Sequence, residues 1–189
     1  MAEELRTDRD QVIKYFKTNP NPVVDTTIND IGKVLSTNTY QKAGWVLHML
    51  RHEIGDDAFW QGIQKFYARY RNSNALTGDF RQVMEEVSGN DLKPFFQQWL
   101  FRGGHPKLRV VWNYDGTAKI LNLAIHQSQD VPFIFPLDIG LRTGNSLERK
   151  SVMMTAQDQS FSFQSATKPS EIILDPFTWL LFDGSITSK

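Results

Sequence analysis

The stretch QQWLFRGGHPKLRVVWNY, Gln97 to Tyr114, carries the change of period on which the fold turns. Up to Leu100, Leu92, Phe95, Phe96, Trp99 and Leu100 recur at the three-to-four spacing of one helix face. Gly103 and Gly104 end that pattern, since glycine lowers helix propensity and serves as a stop. From Lys107 the residues alternate in LRVVWNY, as they do in a half-buried strand whose side chains point to opposite faces. The spacing thus predicts an α+β chain in two parts joined at GGHPKL: a helical bundle over residues 1–104 and an antiparallel β-sandwich over residues 105–189.

Outward on the N-terminal side, EELRTDRDQVIKYFK (residues 3–17) reads as a helix, and Pro20 and Pro22 make the following NPNPVVDTTIND a loop. A second helix is predicted from about Thr39 to Ile54, with Ala43, Val46, Leu47, Leu50 and Ile54 as its apolar stripe. Asp56 is expected to cap a third helix, in which Phe59, Ile63, Phe66 and Tyr70 share a face. Thr77 is expected to cap a fourth, with Phe80, Val83, Met84 and Val87 inward and Gly89 as its stop. Asp91 opens the fifth, and Pro94 is tolerated in its first turn. On the C-terminal side, AKILNLAIHQ follows Asp115-Gly116, a tight hairpin turn signal. Further strands are FIFPLDIGLRT, LERKSVMM, QSFSFQ and EIILDP. Val110, Trp112, Leu121, Leu123, Ile139, Leu141, Phe161, Phe163, Ile172 and Leu174 are predicted to face inward.

Lys+Arg and Asp+Glu both number 21, and the balance holds on either side of Gly104, so neither part has the basic excess that favours nucleic acid. No nucleic-acid partner is expected. The absence of cysteine excludes disulfides, thiolate nucleophiles and cysteine metal sites while leaving the compartment open. No apolar run reaches the length of a membrane span. The polar start MAEELRTDRD is expected to be helix rather than signal peptide.

The stretch LHMLRHEIGD, Leu47 to Asp56, sets two histidines four apart and a His-Glu pair on one helix. A zincin helix needs His-Glu-x-x-His, so that two imidazoles one turn apart grip the metal while the glutamate activates its water. Here the position of the second histidine holds Asp56, and Gly55 before it ends the helix. His48 and His52 are two potential ligands without a third, and both are expected across from the apolar stripe. No metal or cofactor site is expected in the chain itself.

The run TYQKAGWVLHMLRHEIGDDAFWQGIQKFYARY, the Phe80–Val87 helix and DLKPFFQQWLFRGGHPKLRV together resemble the zinc aminopeptidases of the aminopeptidase N and leukotriene hydrolase type, the gluzincin metallopeptidases. In that family a Tyr-x-Lys-Gly stretch opens a helix, a Leu-Gly-x-x-x-Phe turn follows, and a tryptophan and then Gly-x-Pro lead into a β-sandwich. Ala43 stands where the family usually has glycine. The resemblance implies that the helices are the tail of a thermolysin-like catalytic domain, and that the zinc ligands lie upstream with further catalytic and N-terminal domains. The substrate would be a peptide shortened from its N-terminus. This chain, which contains no His-Glu-x-x-His, would be an inactive C-terminal fragment by itself. One catalytic residue carries over. Tyr40 matches the family tyrosine, whose hydroxyl donates a hydrogen bond to the oxyanion formed when zinc-bound water attacks the peptide carbonyl. Lys42 reads as structural. A different class remains open: a non-catalytic interaction module that binds a protein or glycan through exposed aromatics such as Trp60 or Trp179.

Overall fold

The computed structural model describes residues 2–30, 32 and 34–189; Met1, Ile31 and Lys33 lie outside the described residues. The chain divides into two compact units, Asp8–Gly104 and Met1–Thr7 with His105–Lys189. The second grouping departs from a simple cut at Gly104. Arg6 near the chain start donates from Nε to the Thr178 hydroxyl at 3.3 Å, a bond within that unit which no local pattern announces.

The helical unit begins within α1 (Ala2–Phe16) and continues through a π-helical turn (Asn38–Lys42), α2 (Ala43–Ile54), α3 (Asp56–Tyr70), α4 (Thr77–Ser88) and α5 (Lys93–Leu100). Its central cluster joins Leu50, Phe59, Met84, Leu92 and Phe96, one or two residues from each of α2, α3, α4 and the start of α5. Burying each such side chain contributes about 1.5–3 kcal/mol, enough to hold short helices that are marginal alone. Of the expected stripe of α2, Val46 and Leu50 are buried, Ala43 and Ile54 are half-buried and Leu47 is exposed; Trp45 and Met49 are buried as well, because a second face of α2 is also covered.

Two helix starts use chemistry other than that expected. Asp56 is the first residue of α3, after Gly55 at φ 84°, and its carboxylate accepts from Arg51 Nε at 2.7 Å rather than from the helix amides. At α4, Thr77 makes no cap; Asp79 reaches back to accept the Leu76 N–H at 2.7 Å, satisfying an otherwise orphaned amide. Gly89 ends α4 at φ 72°, and Asp91 accepts the Lys93 N–H at 3.0 Å ahead of α5.

In the second unit, β1 (Lys107–Asp115), β2 (Ile120–Gln127), β3 (Phe135–Thr143), β4 (Ser146–Met154), β5 (Asp158–Gln164), β6 (Glu171–Leu174) and β7 (Asp183–Ser188) form two sheets, ordered β5-β2-β1-β7 and β4-β3-β6. The residues predicted to face inward are buried or half-buried. The expected tight turn at Asp115-Gly116 is a longer loop, since Asp115 pairs with Ile120 and its carboxylate accepts from Thr117 and Ala118 at 2.8 and 2.9 Å. The left-handed position of this loop falls on Lys119, at φ 56°. The sandwich is antiparallel except at β7, which pairs parallel to β1. β7 carries no apolar alternation because it is an edge strand with Ile186 alone half-buried; backbone hydrogen bonds hold it.

Candidate active site at the π-helical turn

Tyr40 sits at the middle of the turn Asn38–Lys42. The turn is wider than an α-helix: Thr37 O accepts the N–H groups of both Gln41 and Lys42 at 3.0 Å, and the Ala43 N–H reaches back to Asn38 O. Such single π turns are uncommon and concentrate at functional sites. Here the widening accompanies a sharp division of faces. Asn38 and Lys42, at the two ends of the turn, are 5% and 0% exposed, whereas Tyr40 between them is 61% exposed.

Beneath the turn, Lys42 Nζ donates to the carbonyl oxygens of Arg102 at 3.3 Å and Gly104 at 3.1 Å. The ammonium also stands 4.6 Å from the centre of the Phe16 ring. Burial pushes the Lys42 ammonium down to about 7, and the positive charge of Arg102 adds to the shift. The two carbonyls and the ring face oppose that shift by solvating the charged form. Asn38 Nδ2 donates to Asn21 O at 3.0 Å.

In front of the turn lies a cleft of about 640 Å³, lined among others by Tyr15, Asn21, Asp25, Leu35, Asn38 and Tyr40. Among the described residues the Tyr40 hydroxyl has no hydrogen-bond partner, and the buried Asn38 Oδ1 has none either. The cleft therefore offers an uncommitted phenol beside apolar side chains, whereas the Asn38 amide oxygen is buried beneath it.

The histidines singled out in the sequence lie one turn apart on α2, both half-buried, with the His48 ring edge-on to Trp45 at 5.5 Å. Of the aromatics weighed for partner binding, Trp60 is half exposed with the Arg51 guanidinium over its ring, and Trp179 is half-buried. Asn38 was not legible as a site residue. Lys42 was more so, because it occupies the position one turn before Trp45 and Val46 on the buried face of α2.

Residues 5–99 match the peptidase family M1 domain, just over half of the chain and including Tyr40. The chain belongs to peptidase family M1. It is similar to aminopeptidase N of Streptomyces lividans, with 35% identity over 126 residues that cover 67% of this chain and 15% of that protein. It is also similar to aminopeptidase 2 of Candida albicans, with 23% identity over 143 residues, 73% of this chain and 16% of that one. The fold is shared with Legionella pneumophila aminopeptidase A, solved in complex with aspartic acid: the TM-score is 0.78 at 18% identity, covering 97% of this chain and 22% of that chain. The chain thus spans 15% to 16% of the length of the Streptomyces and Candida M1 relatives.

M1 peptidases are zinc-dependent as a family. No His-Glu-x-x-His occurs in the sequence, and among the described residues no three His, Cys, Asp or Glu side chains are grouped to hold a metal. No helix among the described residues is long and apolar enough to cross a membrane.

Proposed function

We propose that this chain works within a longer zinc-dependent aminopeptidase that removes N-terminal residues from peptides, contributing the oxyanion donor Tyr40, while the metal ligands come from sequence outside these 189 residues. Alone, the chain is inactive. The observation that carries this reading is the presentation of Tyr40: a phenol 61% exposed, on the rim of a cleft, in a turn whose flanking residues are buried. A tyrosine kept for packing would bury its ring and satisfy its hydroxyl.

When a peptide bond is attacked, negative charge develops on the carbonyl oxygen. A hydroxyl held in place beforehand donates more strongly to that charged oxygen than to the ground-state carbonyl, so it favours the transition state by about 3 kcal/mol for one donor. Tyr40 supplies such a donor without moving a proton. It needs only an approach path, which the cleft provides.

Tyr40→Phe in the full enzyme separates the hydroxyl from the ring. The expected result is a fall in turnover of roughly 10²- to 10³-fold with little change in KM. The melting temperature should stay at the parent value, because the hydroxyl holds no partner among the described residues. Near-parent turnover would reduce Tyr40 to a structural residue, and peptide hydrolysis by the 189-residue chain alone would refute the claim that the metal ligands lie elsewhere.

A further inference from the structure

We propose that Asn38 and Lys42 are positioning residues for Tyr40, gripping a shared platform of backbone carbonyls so that the π-helical turn holds the phenol at one rotation and height above the cleft. This rests on the oxyanion role proposed for Tyr40.

The platform consists of two segments distant in sequence and in contact in space. Asn38 holds the first through Asn21 O, and Lys42 holds the second through Arg102 O and Gly104 O. The segments are themselves joined. The Val24 N–H donates to Leu100 O at 2.9 Å, and Pro20 O packs so closely on Gly103 that a Cβ there would lie 1.8 Å from it. The two ends of the turn are therefore fastened to one body.

Stability alone does not call for this arrangement. Burying an ammonium is costly, and an apolar side chain of similar length would fill the same space with less desolvation. What the ammonium adds is direction. Two carbonyls at 3.1 and 3.3 Å and one ring face restrict where Nζ can sit, and Asn38 restrains the other end of a turn whose ladder widens to five-residue spacing at Lys42 and Ala43. Catalytic groups depend on such support, because a displacement of about 1 Å can cost roughly 10²-fold in rate.

The test is a double-mutant cycle on turnover in the full enzyme, using Lys42→Met and Asn38→Asp, each with and without Tyr40→Phe. Lys42→Met keeps length and removes the donor, whereas Asn38→Asp keeps shape and removes the donor to Asn21 O. Each single change should lower kcat roughly 10- to 100-fold with KM little altered, and neither should slow Tyr40→Phe further. If Lys42→Met does not fold, Asn38→Asp carries the cycle. Unchanged kcat in the single variants, or equal losses with and without the Tyr40 hydroxyl, would overturn the positioning role. Parent-like turnover in Tyr40→Phe would instead overturn the oxyanion role. A second readout is independent of activity: with ¹³Cζ-labelled tyrosine in the 189-residue chain, the Tyr40 resonance should shift or broaden in both variants. The Tyr114 signal, whose hydroxyl donates to Ser165 O, should stay in place as the control. An unmoved Tyr40 resonance would overturn the positioning role whatever the kinetics.

Discussion

Lys42 Nζ lies 3.1 Å from the carbonyl oxygen of Gly104, 62 residues along the chain, and the side chain between them is wholly buried. The contact fastens the start of α2 to the segment after α5. It also sets a charged group where charge is expensive, with a consequence for pH.

An unfolded lysine keeps its proton up to about 10.5, while burial lets the folded Lys42 release its proton near 7. Between these values the unfolded state binds more protons, so the stability of the folded state rises with pH across this window. Lys42→Met has no such proton. Urea unfolding should show the parent gaining stability over Lys42→Met by roughly 1–3 kcal/mol between about pH 6 and about pH 9.5. A difference that stays flat or shrinks with pH would mean that Lys42 keeps an ordinary affinity for its proton when folded.

Two glycines with crowded surroundings should respond differently to alanine. A Cβ at Gly103 would meet the backbone of Pro20, with O at 1.8 Å and C at 3.0 Å, and backbone cannot step aside cheaply. At Gly62 on α3 the nearest atoms are Met84 Sδ at 2.3 Å and Cε at 3.0 Å, on a flexible side chain, and alanine favours the helix by about 1 kcal/mol. Gly103→Ala should therefore lose about 2 kcal/mol or more, and Gly62→Ala less than half of that. Equal urea midpoints for the two variants would contradict the rigid platform beneath the turn.

Across α3 and α4, Arg69 donates to both Glu86 carboxylate oxygens at 3.0 and 2.8 Å, and Lys65 stands 2.9 Å from one of them. These partners hold the Glu86 carboxyl well below its usual range, at about 2. A depressed acid helps the fold above its unfolded pKa, and the help disappears as pH falls from about 4.5 through about 2. The group is exposed, so salt should screen the effect. NMR titration of the Glu86 carboxyl should report about 2 at low ionic strength, moving toward 4.5 in about 1 M salt. An ordinary value at low salt would show that the fork opens in solution.

Much of the fold was readable because it is local. The aromatic spacing from Phe59 to Tyr70 and from Leu92 to Leu100 marks α3 and α5, and the alternation from Leu108 to Tyr114 marks β1, since each pattern repeats within one element. β7 escaped because an edge strand buries almost nothing and its hydrogen bonds leave no trace in side-chain type. The stripe of α2 was misplaced at Leu47 because a single-face pattern cannot describe a helix covered on two faces.

At the candidate site the division is the same. By itself the sequence determined the order helices then strands, and it singled out Tyr40 as the residue to examine, through a resemblance carried by short motifs in fixed order. Only the tertiary structure decided that Tyr40 is exposed on a cleft while Asn38 and Lys42 are buried, and that Asn21, Arg102 and Gly104 supply the carbonyls beneath them. The physical reason is range. A periodic pattern records which face of one element avoids water, but a hydrogen bond to a backbone carbonyl depends on where the chain returns, and every residue type carries the same carbonyl.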